Sequence, residues 1–181
     1  AEGVLRSFDE KREELSKRFV PAFMRQIQGI ESELEVFHAL RSVKQENTPK
    51  GEPLVTAMQQ IGSGGILASL WELTEAANVG MQIEMSRISI RQECVEVCEY
   101  YHLNPYQMTS AGTVLMVTRD GNALVRCLEE SGARASVLGV TTADHAKVIT
   151  SGDEVRYLDR PAPDELMRWW EEQAQKEVRS E

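Results

Sequence analysis

The residues whose types and spacing best suit chemistry are Gln59-Gln-Ile-Gly-Ser-Gly-Gly65. They lie between an apolar run, Leu54-Val-Thr-Ala-Met58, and a helical pattern from Ile66 to Ala77. A strand, a glycine-rich turn and a helix in that order can cradle an anion. Glycines let backbone N–H groups converge, and a helix N-terminus adds partial positive charge where they meet. The spacing fits neither the P-loop, which needs a lysine followed by serine or threonine, nor the dinucleotide fingerprint. Two readings therefore stand side by side: a phosphate-contacting loop of Gln60, Gly62, Ser63, Gly64 and Gly65, and a tight strand-to-helix turn with no ligand. Under the first, Gly64→Val is expected to block an anion's approach while barely changing the fold.

Other chemically capable residues have plainer explanations. Cys94, Cys98 and His102 stand at i, i+4 and i+8 and form one helical stripe that could face a metal. Structural zinc sites draw their ligands from two separated segments, and no second pair is present, so the cysteines, with Cys127, are expected to be small buried apolar residues. No metal site and no catalytic residue is assigned. Glu72 and Glu75 share a helix face that could serve as a base or hold magnesium, but such glutamates are usually solvated. His38 and His145 have no nucleophile or carboxylate arranged near them. Trp169-Trp170, after Leu166 and Met167, is expected to seat a C-terminal helix on the sheet with one indole partly exposed, because adjacent helical residues cannot both face inward.

These residues need elements to position them. From Phe8 to Val43 apolar residues recur three or four apart, which predicts one helix to about Arg18 and a second from Pro21 to about Gln45. The stripe Phe19, Phe23, Ile27, Ile30, Leu34 and Phe37 must be covered by the chain's own sheet or by a second copy, and self-association through it is expected. Gln45 to Pro53 reads as a linker, dividing a helical lead-in, 1–50, from a globular part, 51–181. In the latter the pattern predicts strands 54–58, 80–85, 113–118, 134–140, 146–150 and 154–158 and helices 65–77, 91–101, 120–131 and 163–177. Mixed strands and helices ending in a hairpin give an α+β layered sandwich.

The composition, 41% hydrophobic and 27% charged, is that of an ordinary globular chain. Residues 1–50 balance nine basic against nine acidic side chains, so the net charge of −9 sits wholly in the remainder, eleven against twenty. That argues against nonspecific binding to nucleic acid or to an anionic membrane. No run approaches the roughly 20 apolar residues of a membrane span, and no basic-then-apolar leader is visible. With three cysteines and no dense framework, a cytoplasmic chain is expected.

The order and spacing of Val55-Thr-Ala-Met58, Gly64-Gly65, Trp71-Glu-Leu-Thr-Glu-Ala-Ala77, Val79-Gly80, Ile88-Ser-Ile-Arg-Gln-Glu93, Cys98-Glu99 and Leu103-Asn-Pro-Tyr106 resemble the C-terminal domain of the AIR synthase-related superfamily. The likeness covers about residues 51–160 and is nearest to the hydrogenase-maturation carbamoyl dehydratases. It implies a three-layer α/β/α sandwich related to the ferredoxin-like arrangement. It also implies a two-domain, usually dimeric enzyme that uses ATP to activate an oxygen. In that family the N-terminal domain supplies most nucleotide and magnesium ligands, and the C-terminal domain closes over the phosphates with a glycine-rich loop matching Gln59 to Gly65. The chain departs from the pattern at Gln60, where the dehydratases carry an acid, and at Ala111, where many relatives have glutamate. It also ends at Glu181 without their tail cysteine. A backbone cradle survives the loss of a side chain. The expectation is thus a phosphate-contacting domain without a complete active site, partnered by an N-terminal ATP-binding domain or a second copy, or else a noncatalytic module that keeps the fold.

Overall fold

The structure, a computed structural model, describes residues 2–33, 37–43 and 47–180. Its helices are α1 (Glu2–Glu10), α2 (Arg12–Arg18), α3 (Pro21–Gly29), α4 (Phe37–Val43), α5 (Gly65–Ala77), α6 (Gln92–Tyr101), α7 (Gly121–Glu130) and α8 (Glu165–Ser180). Its strands are β1 (Val55–Gln60), β2 (Gly80–Glu84), β3 (Val114–Thr118), β4 (Gly139–Thr142), β5 (Lys147–Ser151) and β6 (Glu154–Tyr157). The fold is α+β, with a helical lead-in ahead of two sheets.

β1 and β3 pair antiparallel, with Met58 opposite Met116 and Gln60 opposite Val114. A four-stranded sheet runs β4-β2-β5-β6, with β2 and β5 parallel and the outer pairings antiparallel. Successive strand residues point to opposite faces. Accordingly Met116 joins Ala39 and Val43 of α4 and Leu124 and Leu128 of α7, while its neighbour Leu115 joins Leu70 of α5. Helices thus cover both faces of the β1–β3 pair. The four-stranded sheet presents Met81, Ile83 and Ile149 to α5 and leaves Val140, Val155 and Tyr157 exposed on its strands.

The turn chemistry read from sequence explains the element ends. Pro21 opens α3 after an extended Val20, and Asp120 caps α7 by accepting from Ala123 N–H at 2.9 Å. Gly132 follows α7 with φ +85°, and Gly152 turns β5 into β6 with φ +58°. Three predicted element bounds need correction. The first predicted helix breaks at Lys11, whose φ of −114° and ψ of 25° are not helical. The second ends at Gly29, a poor helix former, and continues as a 3-10 turn over Ile30–Glu33. The predicted strand 134–140 begins only at Gly139; before it Ala133 and Ala135 pack beside α7 and Ser136 Oγ donates to the Arg87 carbonyl.

Among the described residues the lead-in's apolar stripe is covered within the chain, by helices and not by a sheet. Val4, Phe8, Leu15, Ile27 and Ile30 form one core with Cys94, Val97 and Cys98 of α6 and Leu166 and Trp169 of α8. Phe19 and Phe23 stack at its margin, 4.6 Å apart. Leu34 and the side chains of Phe37 and His38 lie outside the described residues. For the same reason the C-terminal helix sits on helices, contrary to its predicted seat on the sheet. Trp169 is buried edge-on to Tyr101, and the partly buried Trp170 donates its indole N–H to Glu10 at 2.6 Å. Among the described residues no helix is long and apolar enough to cross a membrane.

Candidate functional site

The glycine turn lies where the sequence places it, between the end of β1 and the head of α5. Ile61 anchors it: the side chain is fully buried under α5 and its N–H donates to the Thr113 carbonyl at 2.8 Å, prolonging the β1–β3 ladder. Gly62 and Ser63 follow, both exposed. Gly64 then adopts φ +77° as the N-cap of α5, and Gly65 φ +67° as its first residue. Two successive left-handed residues are a conformation that only glycine takes without strain. Gly65 is also walled in by backbone: a Cβ there would stand 2.5 Å from the Tyr106 carbonyl oxygen and 2.7 Å from Met108 N. The turn is therefore sealed on its inner side and open at Gly62, where a Cβ would meet nothing within 4 Å.

Gly64 differs from the expectation placed on it. A Cβ at Gly64 would lie 2.6 Å from that of Ala68, and its φ is positive, so Gly64→Val strains the fold instead of leaving it unchanged. Its N–H also has an acceptor that sequence reasoning missed. Asp164 Oδ2 takes this N–H at 2.7 Å, while Oδ1 accepts from Leu166 N at 2.9 Å and Met167 N at 3.4 Å, capping α8. Only 4% exposed, one carboxylate thus bridges the N-termini of two helices. The sole local signal was an acid just before a helical run, which marks a cap but not the distant turn it also reaches.

The remaining candidates separate from this turn. Gln60 is exposed, at the end of β1, while Gln59 donates its amide to Glu72 Oε2 at 3.0 Å. Glu75 pairs with Lys147 at 2.5 Å, and the same ammonium lies over the Trp71 ring, 5.8 Å from its centroid. Both glutamates are thus held by neighbours, although exposed. Ala111 N donates to Glu2 at 2.8 Å, tying that segment to α1. His102 ends α6 as an exposed left-handed cap, and His145 is exposed in the β4–β5 connection. Among the described residues no three His, Cys, Asp or Glu side chains converge as metal ligands.

Cys94 and Cys98 are buried thiols in no disulfide, as expected for small apolar residues; the Cys127 thiol is partly exposed. Burial, with the Cys94 thiol nearby, pushes the Cys98 thiol up to about 12, so it stays protonated at neutral pH. Since the thiolate is the nucleophile, maleimide labelling of the folded chain at pH 7 should modify Cys127 first and leave Cys98 unlabelled until denaturant is added. Mass spectrometry of the tryptic peptides checks this; equal labelling of Cys98 and Cys127 in the native chain would contradict it.

A profile for "AIR synthase related protein, C-terminal domain" matches residues 8–151. Over 120 residues the chain is 30% identical to a Methanocaldococcus jannaschii protein named for hydrogenase expression and formation, covering 63% of this chain and 36% of that one. It is 26% identical over 123 residues to the carbamoyl dehydratase HypE of Rhodobacter capsulatus, covering 64% and 36%. The chain therefore spans about a third of the length of the curated relatives it matches. In fold it is similar to the crystal structure of E. coli HypE, with TM-score 0.63 at 19% identity over 79% of this chain and 48% of that one. It is also similar to HypE solved in complex with ATP, with TM-score 0.55 at 12% identity, covering 74% and 48%. The match over most of its length, together with its mixed helices and sheets, places the chain in the AIR synthase-related family, as a C-terminal domain.

Proposed function

We propose that this chain is the phosphate-contacting part of an ATP-using enzyme of the dehydratase or ligase type and carries no complete active site of its own. The observation behind the reading is the turn at the head of α5, where Gly62 and Ser63 are exposed beside a helix N-terminus and no side chain stands in front of Gly62. The exposed backbone N–H groups of Gly62 and Ser63 would hold phosphate oxygens, joined by that of Gly64 once Asp164 releases it, with Gln60 at the rim and Gly65 N–H held by the Gly62 carbonyl at 3.2 Å. ATP held there would supply the phosphoryl group that turns a substrate oxygen into a leaving group, with ADP released. Magnesium does not fit the turn, because Gln60 brings no carboxylate and, among the described residues, no acidic cluster adjoins it; its ligands would come from an N-terminal domain. That domain, in the same or a second copy of a dimer, is the partner this reading requires, in a cytoplasmic setting.

A second reading, a noncatalytic module that keeps the fold, draws on Asp164, which gives Gly64 N–H an internal acceptor. Calorimetry of the purified chain with Mg·ATP separates the two. Weak binding that falls about tenfold in Gly62→Val, at unchanged melting temperature, is the expected result, since an anion would lose about one charge-assisted hydrogen bond. Equal binding in both proteins, or none in either, would favour the noncatalytic module.

A further inference from the structure

The turn proposed to meet phosphate already holds an anion, and that anion belongs to the chain. Asp164 Oδ2 sits 2.7 Å from Gly64 N, almost completely buried, and the segment leading to it lies close by: the Ala162 carbonyl oxygen is 3.7 Å from where a Gly64 Cβ would stand. The other carboxylate oxygen is engaged by the first turn of α8. A phosphate oxygen accepting from Gly64 N–H would need the same space and would bring a second negative charge against a desolvated carboxylate.

We infer that Asp164 is an internal competitor for the turn: phosphate binding at Gly64 and carboxylate capping of α8 exclude one another, so the start of α8 gates the site. The inference rests on the phosphate reading of the same turn and adds its regulation. Linkage makes the coupling reciprocal. Phosphate frees the first turn of α8, and a partner domain that draws α8 away raises phosphate affinity. The rest of α8 stays seated through Leu166 and Trp169, both buried in the helical core, so the gate involves the residues around Asp164 and not the whole helix.

The test uses pyrophosphate as probe on the full chain, with Asp164→Asn and Asp164→Ser. Both replacements are good helix caps, so α8 keeps its N-cap, but neither offers a second anionic oxygen to Gly64. Pyrophosphate affinity should rise about tenfold in each, as expected when one charge-assisted bond no longer has to be broken. In the wild type, hydrogen exchange at Leu166 and Met167 should quicken on adding pyrophosphate, and in the variants it should not change. Equal affinity in all three proteins would overturn the competition while leaving the phosphate reading intact. Absence of binding in all three would overturn both.

Discussion

Gly65→Ala is expected to destabilise the chain by about 2 to 5 kcal/mol. Placing a side chain in the left-handed region costs roughly 1–2 kcal/mol. Forcing a methyl group into a filled space costs about 1–3 kcal/mol more. The obstacle is backbone, the Tyr106 carbonyl and Met108, so no side-chain rotation relieves it. For a chain of this length the melting temperature should fall by roughly 5 to 15 °C. Gly62→Ala, three residues earlier and facing open space, should leave it within about 2 °C. Thermal unfolding of the two variants side by side checks this, and equal melting temperatures would contradict the described turn.

Trp169→Ala should cost about 3 to 5 kcal/mol, the usual penalty for removing a buried large aromatic. Its indole is 3% exposed and meets Tyr101 edge-on at 5.1 Å between ring centroids. Together with Leu166 it secures α8 against α1 and α6, so the loss should appear first as fraying of the C-terminal helix. Trp170→Phe keeps an aromatic ring, removes the exposed bond to Glu10 and should cost about 1 kcal/mol or less. Denaturant titration followed by circular dichroism measures both. Equal costs for the two tryptophans would mean that α8 is not held as described.

What the sequence disclosed follows the range of each interaction. Helix 65–77 was legible to the residue because its boundaries are set locally, by glycines at its head and by Asn78, which closes it with φ 54°. The amphipathic stripe of the lead-in was legible as apolar periodicity, but periodicity says only that a face is buried, not what covers it. Its cover, α6 and α8, comes from residues about 60 to 160 positions away in the chain, beyond any local signal. The same limit hid Asp164. The predicted helix 163–177 took Asp164 in as an ordinary helical residue, and its bond to Gly64 spans 100 residues. Gly64→Val was misjudged because a sequence displays a glycine without its φ.

In the proposed function the open end of the turn contacts phosphate while the chain alone does not turn ATP over. Amide NMR of the full chain during titration with Mg·ATP tests it most directly. Shifts are expected to concentrate at Gly62, Ser63, Gly64 and Gly65 and to need about tenfold more Mg·ATP in Gly62→Val, with no release of phosphate over the experiment. Shifts centred elsewhere or unchanged in Gly62→Val, or ATP hydrolysis by this chain that a substitution within residues 59–65 abolishes, would contradict it.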